Sequence, residues 1–351
     1  MSGGVPVFDG HNDTIMKLEL AARDGQPLDF SGHTPTLDID LPKARKGGLV
    51  GGFFAMFTPS RIANGSAEMD IQDPANFAQV DQSVALNFTL AMFARLRRLS
   101  RELPNDLAIC GDAADIRAAM NSGQIAILPH IEGAACIDTD LNALEVLHAA
   151  GLRSLGLVWS RPNAFGYGAP MEAQPVLDPG QGLTPAGFDL VRECDRLGVL
   201  IDLSHLTESG FWDVAKTTTR PLIATHSNAH AVSPSARNLT DAQLKAVADS
   251  GGVVGLNFHV GFLREDCTDN ADTPILQMIR HLDHMIAILG EDGVALGSDF
   301  DGCVIPQELG DASGLPKLIA AMRQSGYGEA LIAKICYKNW ISVIERGLSK
   351  A

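Results

Sequence analysis

Five side chains able to bind a divalent metal fall at the ends of four apolar runs in this sequence. His11 and Asp13 close Val-Phe-Asp-Gly-His-Asn-Asp (7–13), two positions apart and so on one face of an extended segment. Glu132 follows the run 125–131, His205 ends Val-Leu-Ile-Asp-Leu-Ser-His, and His226 ends Pro-Leu-Ile-Ala-Thr-His. Asp299 ends a fifth such run, Val-Ala-Leu-Gly-Ser-Asp. Each alone has an ordinary reading, a hydrogen-bonded core histidine or a loop-capping aspartate, but their arrival at the same kind of place points to one shared site. Three imidazoles and two carboxylates suit zinc or a similar divalent ion. Five ligands exceed what one tetrahedral ion that must also hold water can use, whereas two ions sharing Glu132 use them all. Asp299 is then free to move protons for a water nucleophile. No Gly-x-Ser-x-Gly elbow, His-Glu-x-x-His, Gly-x-Gly-x-x-Gly or P-loop pattern offers a rival chemistry.

The elements that must position these residues alternate. Apolar runs at 7–13, 47–57, 125–131, 152–158, 198–203, 221–224, 252–257 and 293–297 read as eight strands. Between and around them, helical spacing runs over 75–101, 112–121, 139–150, 184–196, 240–250 and 274–290, with Asp112 as a cap and Gly123 as a stop. Residues 17–47, with Pro27, Pro35 and Pro42, read as a loop with one short helix. Strand and helix alternating eight times predict an α/β fold, a (β/α)8 TIM barrel whose active site lies at the C-terminal ends of its strands. About 250 residues suffice for such a barrel, so the rest of the 351 are expected in long βα loops and a C-terminal helix near 328–346. No break in composition divides the chain, and residues 1–351 are expected to form one domain. His130, His230 and His259 also lie near strand ends but are read as loop or supporting residues.

Bulk composition narrows the partners. Asp and Glu number 42 against 27 Lys and Arg, a net charge of −15 that repels polyanions and argues against nucleic acid. No run of about 18 apolar residues offers a membrane span. The first 13 residues have neither a basic leader nor a long apolar stretch, so a cytoplasmic protein is expected. The six cysteines form no Cys-x-x-Cys pair and are expected to be buried thiols in a reducing compartment.

At these residues the sequence resembles the membrane dipeptidase (renal dipeptidase) family of dinuclear zinc peptidases, within the amidohydrolase-like barrels. The likeness runs nearly end to end: Asp-Gly-His-Asn-Asp (9–13), Glu132-Gly133, Ile-Asp-Leu-Ser-His (201–205), Thr-His-Ser-Asn-Ala (225–229), Arg237-Asn238 and Asp-Phe-Asp-Gly (299–302). The His-x-Asp form of the first motif, where many superfamily members have His-x-His, narrows the resemblance to the dipeptidase branch. The resemblance implies two Zn2+ per subunit, one held by His11 and Asp13, the other by His205 and His226, with Glu132 bridging. It implies that Arg237 binds the carboxylate of a free dipeptide, for which a guanidinium fork is well shaped. It further implies that Asp299 takes a proton from a metal-bridging hydroxide or water and delivers it to the leaving amine. The small-molecule substrate would be a dipeptide, including L-Xaa-D-Xaa; the alternative is a related amidohydrolase acting on an N-acyl-amino acid, β-lactam or lactone. A homodimer is also suggested by the resemblance. One position departs: where animal members carry a carbonyl-binding histidine at the end of the fourth strand, this chain has Trp159. An indole donates one hydrogen bond but cannot become a cation. Trp159 or Asn163 is then the candidate donor to the scissile carbonyl, with Trp159 as a mere wall of the pocket the competing reading. A catalytically silent barrel would need a lost ligand or a lost Asp299, and neither is lost.

Overall fold

Short apolar segments buried on both faces suit strands sheathed by helices, and the computed structural model, which describes residues 4–60, 62, 74–171 and 181–348, places them so. In chain order the strands are β1 (Val7–Asn12), β2 (Leu49–Phe57), β3 (Leu107–Ile109), β4 (Ile125–Glu132) and β5 (Ser154–Gly156). They continue with β6 (Leu200–Asp202), β7 (Ile223–Ala224), β8 (Val253–Leu256) and β9 (Val294–Leu296). All pair in parallel, in the order β1-β2-β4-β5-β6-β7-β8-β9. The ring is brought close to closure where the Asp299 N–H donates to the His11 carbonyl and the Asp13 N–H to that of Phe300, each at 2.9 Å. This is the eight-stranded TIM barrel that the alternation predicts. The short β3 is an addition to it, pairing with β4 outside the ring.

Register decides which side chains share a level. Phe57 pairs with Glu132, Glu132 with Gly156, and Gly156 with Asp202, so two carboxylates stand at one height near the upper ends of the strands. Lower down, Phe8, Phe53, Leu128, Leu200, Ile223, Val253 and Ala295, one from each of seven strands, pack together. Trp340 from the C-terminal helix joins them and donates its indole N–H to the Leu296 carbonyl at 2.8 Å, closing the barrel floor. The interior is tight enough that a Cβ on Gly10 would lie 2.4 Å, and one on Gly297 1.9 Å, from the Thr225 carbonyl oxygen.

Local capping sets the helix ends. Asp112 accepts from the Asp115 N–H to start the helix Ala113–Ser122, which stops at Gly123 in the left-handed conformation, as its sequence predicts. The helix expected over 75–101 begins later, at Gln82, because Asp81 caps it by accepting from Ser83 and Val84; Pro74–Phe77 is a separate 3-10 turn. Residues 17–47 hold more order than expected, within helices Thr14–Arg23 and Leu41–Gly47. Helices Glu208–Thr217 and Leu315–Gln324 are likewise additions. The C-terminal helix is broken into Glu329–Ala333, a π turn Lys334–Lys338, and Asn339–Leu348.

Candidate metal centre

The residues singled out at the strand ends converge. His11 lies in β1 and Asp13 just beyond it; Glu132 ends β4; His205 and His226 follow β6 and β7; Asp299 follows β9. Two of these, His205 (φ 69°) and Asp299 (φ 61°), have left-handed backbones, as does Asp301 (φ 67°). Such conformations cost a non-glycine residue about 1–3 kcal/mol and persist where the surroundings enforce them. Here they turn the side chains back over the barrel mouth.

Glu132 Oε1 is the hub. It lies 2.8 Å from His205 Nε2, 3.5 Å from His226 Nε2 and 3.8 Å from His11 Nε2. Asp13 Oδ2 is 3.5 Å from His11 Nε2 on the far side. Ligand atoms of His11, Asp13 and Glu132 all fall within 4.8 Å of one another, and so do those of Glu132, His205 and His226. Two overlapping triads that share one carboxylate are the arrangement a bridged pair of ions requires.

The donor set fits metal ions for a reason visible in the contacts. His205 Nε2 and His226 Nε2 face each other at 3.0 Å, while both Nδ1 atoms are turned to hydroxyls: Ser160 Oγ at 2.9 Å and Thr225 Oγ1 at 2.7 Å. Neither ring nitrogen of His11 has a hydrogen-bond partner, nor has Asp13 Oδ1, although all are buried. Buried polar atoms are almost always paired, so such a group marks a missing partner. A cation between these atoms removes the mismatch. Without one, burial opposes charge on His11, but Glu132 and Asp13 outweigh it and raise its pKa to about 10. His205 and His226 are held well below the ordinary imidazole range by burial and by nearby cations, and burial pushes Glu132 well up. Ions would supply the positive charge that a proton on His11 otherwise supplies.

Around the cluster is a cavity of ≈ 370 Å3, lined in part by Asp13, Glu132, Trp159, His205, His259 and Asp299. That is the small end of the range for small-molecule sites, about 300–1,000 Å3. Asp299 is fixed by Asn257, whose amide donates to Oδ2 at 3.0 Å. Trp159 is a wall, stacked on Phe77 (5.3 Å between centroids, 13° between planes) and packed on Phe57. Arg161 lies 5.4 Å from the indole centroid and donates to Ser60 Oγ at 2.7 Å. Arg237 is fully buried, donates to the His226 carbonyl at 3.3 Å and feels Asp299 and Glu132 most among the carboxylates; burial lowers its pKa to about 10. It borders a second, polar cavity of ≈ 90 Å3 with Ser227 and Asn238, and its Cζ lies 5.3 Å from the ring of Phe262, which lines the first.

Asn163 is not brought to the cavity. Its amide donates to the Leu157 carbonyl at 2.7 Å and accepts from the Phe165 N–H at 2.8 Å, so both ends are consumed in holding the loop after β5. His130 bonds Ser154 Oγ at 3.0 Å beneath the cluster, while His259 lines the cavity and pairs with Asp269 at 2.9 Å. Sequence reasoning missed Asn257 and Asp202. The signal for Asp202 was the one that marked Glu132, a carboxylate in an apolar strand.

A profile of the membrane dipeptidase family (Peptidase family M19) matches residues 2–349. The chain belongs to the membrane dipeptidase family. Membership places it among metallopeptidases, and the dipeptidase barrel recurs in solved structures. A metallopeptidase from Rhodobacter sphaeroides, liganded with a phosphinate mimic of L-Ala-D-Ala, is 45% identical with a TM-score of 0.88, covering 98% of this chain and 99% of that one. A family M19 metallopeptidase described as dipeptidase AC is 46% identical with a TM-score of 0.89 and the same coverage. An uncharacterized protein in the pqqA 5′ region of Klebsiella pneumoniae is 47% identical over 252 residues, 72% of this chain and 93% of its own length. No helix among the described residues of this dipeptidase-family chain is long and apolar enough to cross a membrane.

Proposed function

We propose that this chain is a dinuclear zinc dipeptidase that hydrolyses free dipeptides, L-Xaa-D-Xaa among them. The observation that carries the reading is the pair of buried triads, His11–Asp13–Glu132 and Glu132–His205–His226, sharing one carboxylate. The mimic of L-Ala-D-Ala bound by the Rhodobacter sphaeroides relative supports the substrate class. Imidazole and carboxylate donors without thiolate suit zinc, and a pair of such ions would supply Lewis acidity and lower the pKa of water toward neutrality.

The chain's own residues do the rest. Arg237 holds the C-terminal carboxylate of the substrate, fixing the scissile bond over the cluster. Asp299, oriented by Asn257, accepts a proton from the attacking water and passes it to the departing amine nitrogen, the general base becoming a general acid. Trp159 walls one side of the cavity and excludes water there, its indole N–H being the candidate donor to the scissile carbonyl.

Metal analysis of the isolated protein, combined with a panel of L,L- and L,D-dipeptides, an N-acyl-amino acid, a β-lactam and a lactone, tests the proposal. Two equivalents of zinc and turnover of L,D-dipeptides are expected. One equivalent, or turnover confined to the non-peptide substrates, would overturn it.

A further inference from the structure

Two groups are hydrogen-bonded in series to His226. Asp202 Oδ2 lies 2.5 Å from Thr225 Oγ1, and Thr225 Oγ1 lies 2.7 Å from His226 Nδ1. Asp202 ends β6 at the level of Glu132 and is 1% exposed. It lies near enough to His11 and His226 to form a further set of metal-ligating groups. Its oxygens are already committed, however: Oδ1 accepts from the N–H groups of Ser204 at 3.0 Å and Thr225 at 2.8 Å, and Oδ2 from the Thr225 hydroxyl. The carboxylate therefore ties together the two strand ends that carry His205 and His226.

The direction of the hydrogen bonds follows from the chemistry of the groups. A carboxylate only accepts, so the Thr225 proton points to Asp202 and the hydroxyl oxygen offers a lone pair to His226. Nδ1 of His226 must then carry the ring proton. Its Nε2 is left with a lone pair facing Glu132 and His205. His205 differs, because its hydroxyl partner Ser160 has no carboxylate behind it among the described residues. The Thr225 carbonyl sits where Gly10, Gly255 and Gly297 carry no Cβ, so its backbone is packed into the barrel interior.

We infer that Asp202 and Thr225 form a carboxylate–hydroxyl–imidazole relay that fixes His226 as its Nδ1–H tautomer and so prepares Nε2 as a metal ligand. Both are positioning residues: neither lines the substrate cavity. The inference rests on the reading of His226 as a ligand. Groups that orient a ligating histidine typically change metal affinity by 10–100-fold when removed.

The test is zinc affinity of the full-length protein by chelator competition, with cobalt substitution as a spectroscopic second readout. Thr225→Val keeps the shape and removes the hydroxyl; it should weaken one of the two equivalents by about 10–100-fold and leave the other unchanged. Thr225→Ser should restore wild-type affinity and the wild-type cobalt spectrum, which a purely packing role of the methyl group would not. Asp202→Asn should be at least as weak as Thr225→Val, because an amide nitrogen donating to Oγ1 turns the hydroxyl toward Nδ1 and favours the wrong tautomer. Wild-type affinity in Thr225→Val, or no rescue by Thr225→Ser, overturns the relay. His226→Ala separates the two levels: if it loses one equivalent while Thr225→Val keeps both, the relay alone falls. If His226→Ala keeps both, the ligand reading falls with it.

Discussion

At the N-terminal end of the strands lies a groove of ≈ 1000 Å3, bordered by Val5, Gly48, Arg117, Ile319 and Ile341, whereas the cavity at their C-terminal end measures ≈ 370 Å3. Size would place the chemistry at the wrong end. The lower groove's charges are largely matched: Arg117 meets Glu345 at 3.0 and 2.7 Å, Arg45 meets Asp106 at 2.9 Å, and Arg323 meets Glu329 at 2.6 and 3.0 Å. At the upper end His11 and Asp13 keep buried atoms without partners, and two imidazole nitrogens face each other at 3.0 Å. An active site is a place where folding leaves polar groups waiting for something the chain does not contain. This contrast makes the upper cluster sensitive to changes of a single atom and the lower groove indifferent to them.

The largest effect is expected at Glu132. Glu132→Gln removes the charge that three imidazoles surround, so the protein should lose metal and turnover together; a variant that still holds two equivalents and turns over substrate would break the contrast outright. Asp299→Asn comes next. It keeps the contact with Asn257 but cannot take a proton, so kcat should fall by about 10²–10⁴-fold with both metals retained. Full activity in that variant, or loss of the metals, would remove Asp299 from the role of proton carrier.

Much of the site was legible because strand ends are legible. His11, Glu132, His205, His226 and Asp299 each close an apolar run, and a barrel turns all such ends to one face, so chain positions far apart become neighbours. Three things were not legible. A strand as short as β3, Leu107–Ile109, leaves no periodicity to read. Asn163 sat at the right distance in sequence from Trp159, yet its amide is spent on Leu157 and Phe165, a local loop bond that spacing does not reveal. Asp202 stood in plain view in Ile-Asp-Leu-Ser-His, but its bond to Thr225 crosses between strands and depends on register. Sequence pattern marked the residues aimed into the mouth and passed over those that aim them.

Arg237 should give a smaller, selective effect. A charge-assisted bond is worth about 1.5–3 kcal/mol, so Arg237→Met should raise KM for free dipeptides by roughly 10–150-fold. C-terminally amidated dipeptides should show little of that rise. Equal rises for both would reject the carboxylate assignment and leave Arg237 as packing against Phe262.

The smallest effect belongs to the lower groove. Arg117 and Glu345 are both exposed and form a bidentate pair at the far end of the barrel from Glu132. Exposed pairs of this kind contribute little to stability, because water screens them and ordering two long side chains offsets the attraction. Between the pair and the candidate metal ligands the described residues place the apolar floor of Phe8, Phe53, Leu128 and Trp340, whose side chains offer no polar group to relay a change except the Trp340 indole N–H, held by the Leu296 carbonyl. Arg117→Ala combined with Glu345→Ala should therefore leave kcat/KM and metal content at wild-type values, and the melting temperature close to it. A tenfold fall in kcat/KM from this double variant would mean that the groove communicates with the mouth through that floor, and the division of the barrel into a reactive end and an indifferent one would have to be given up.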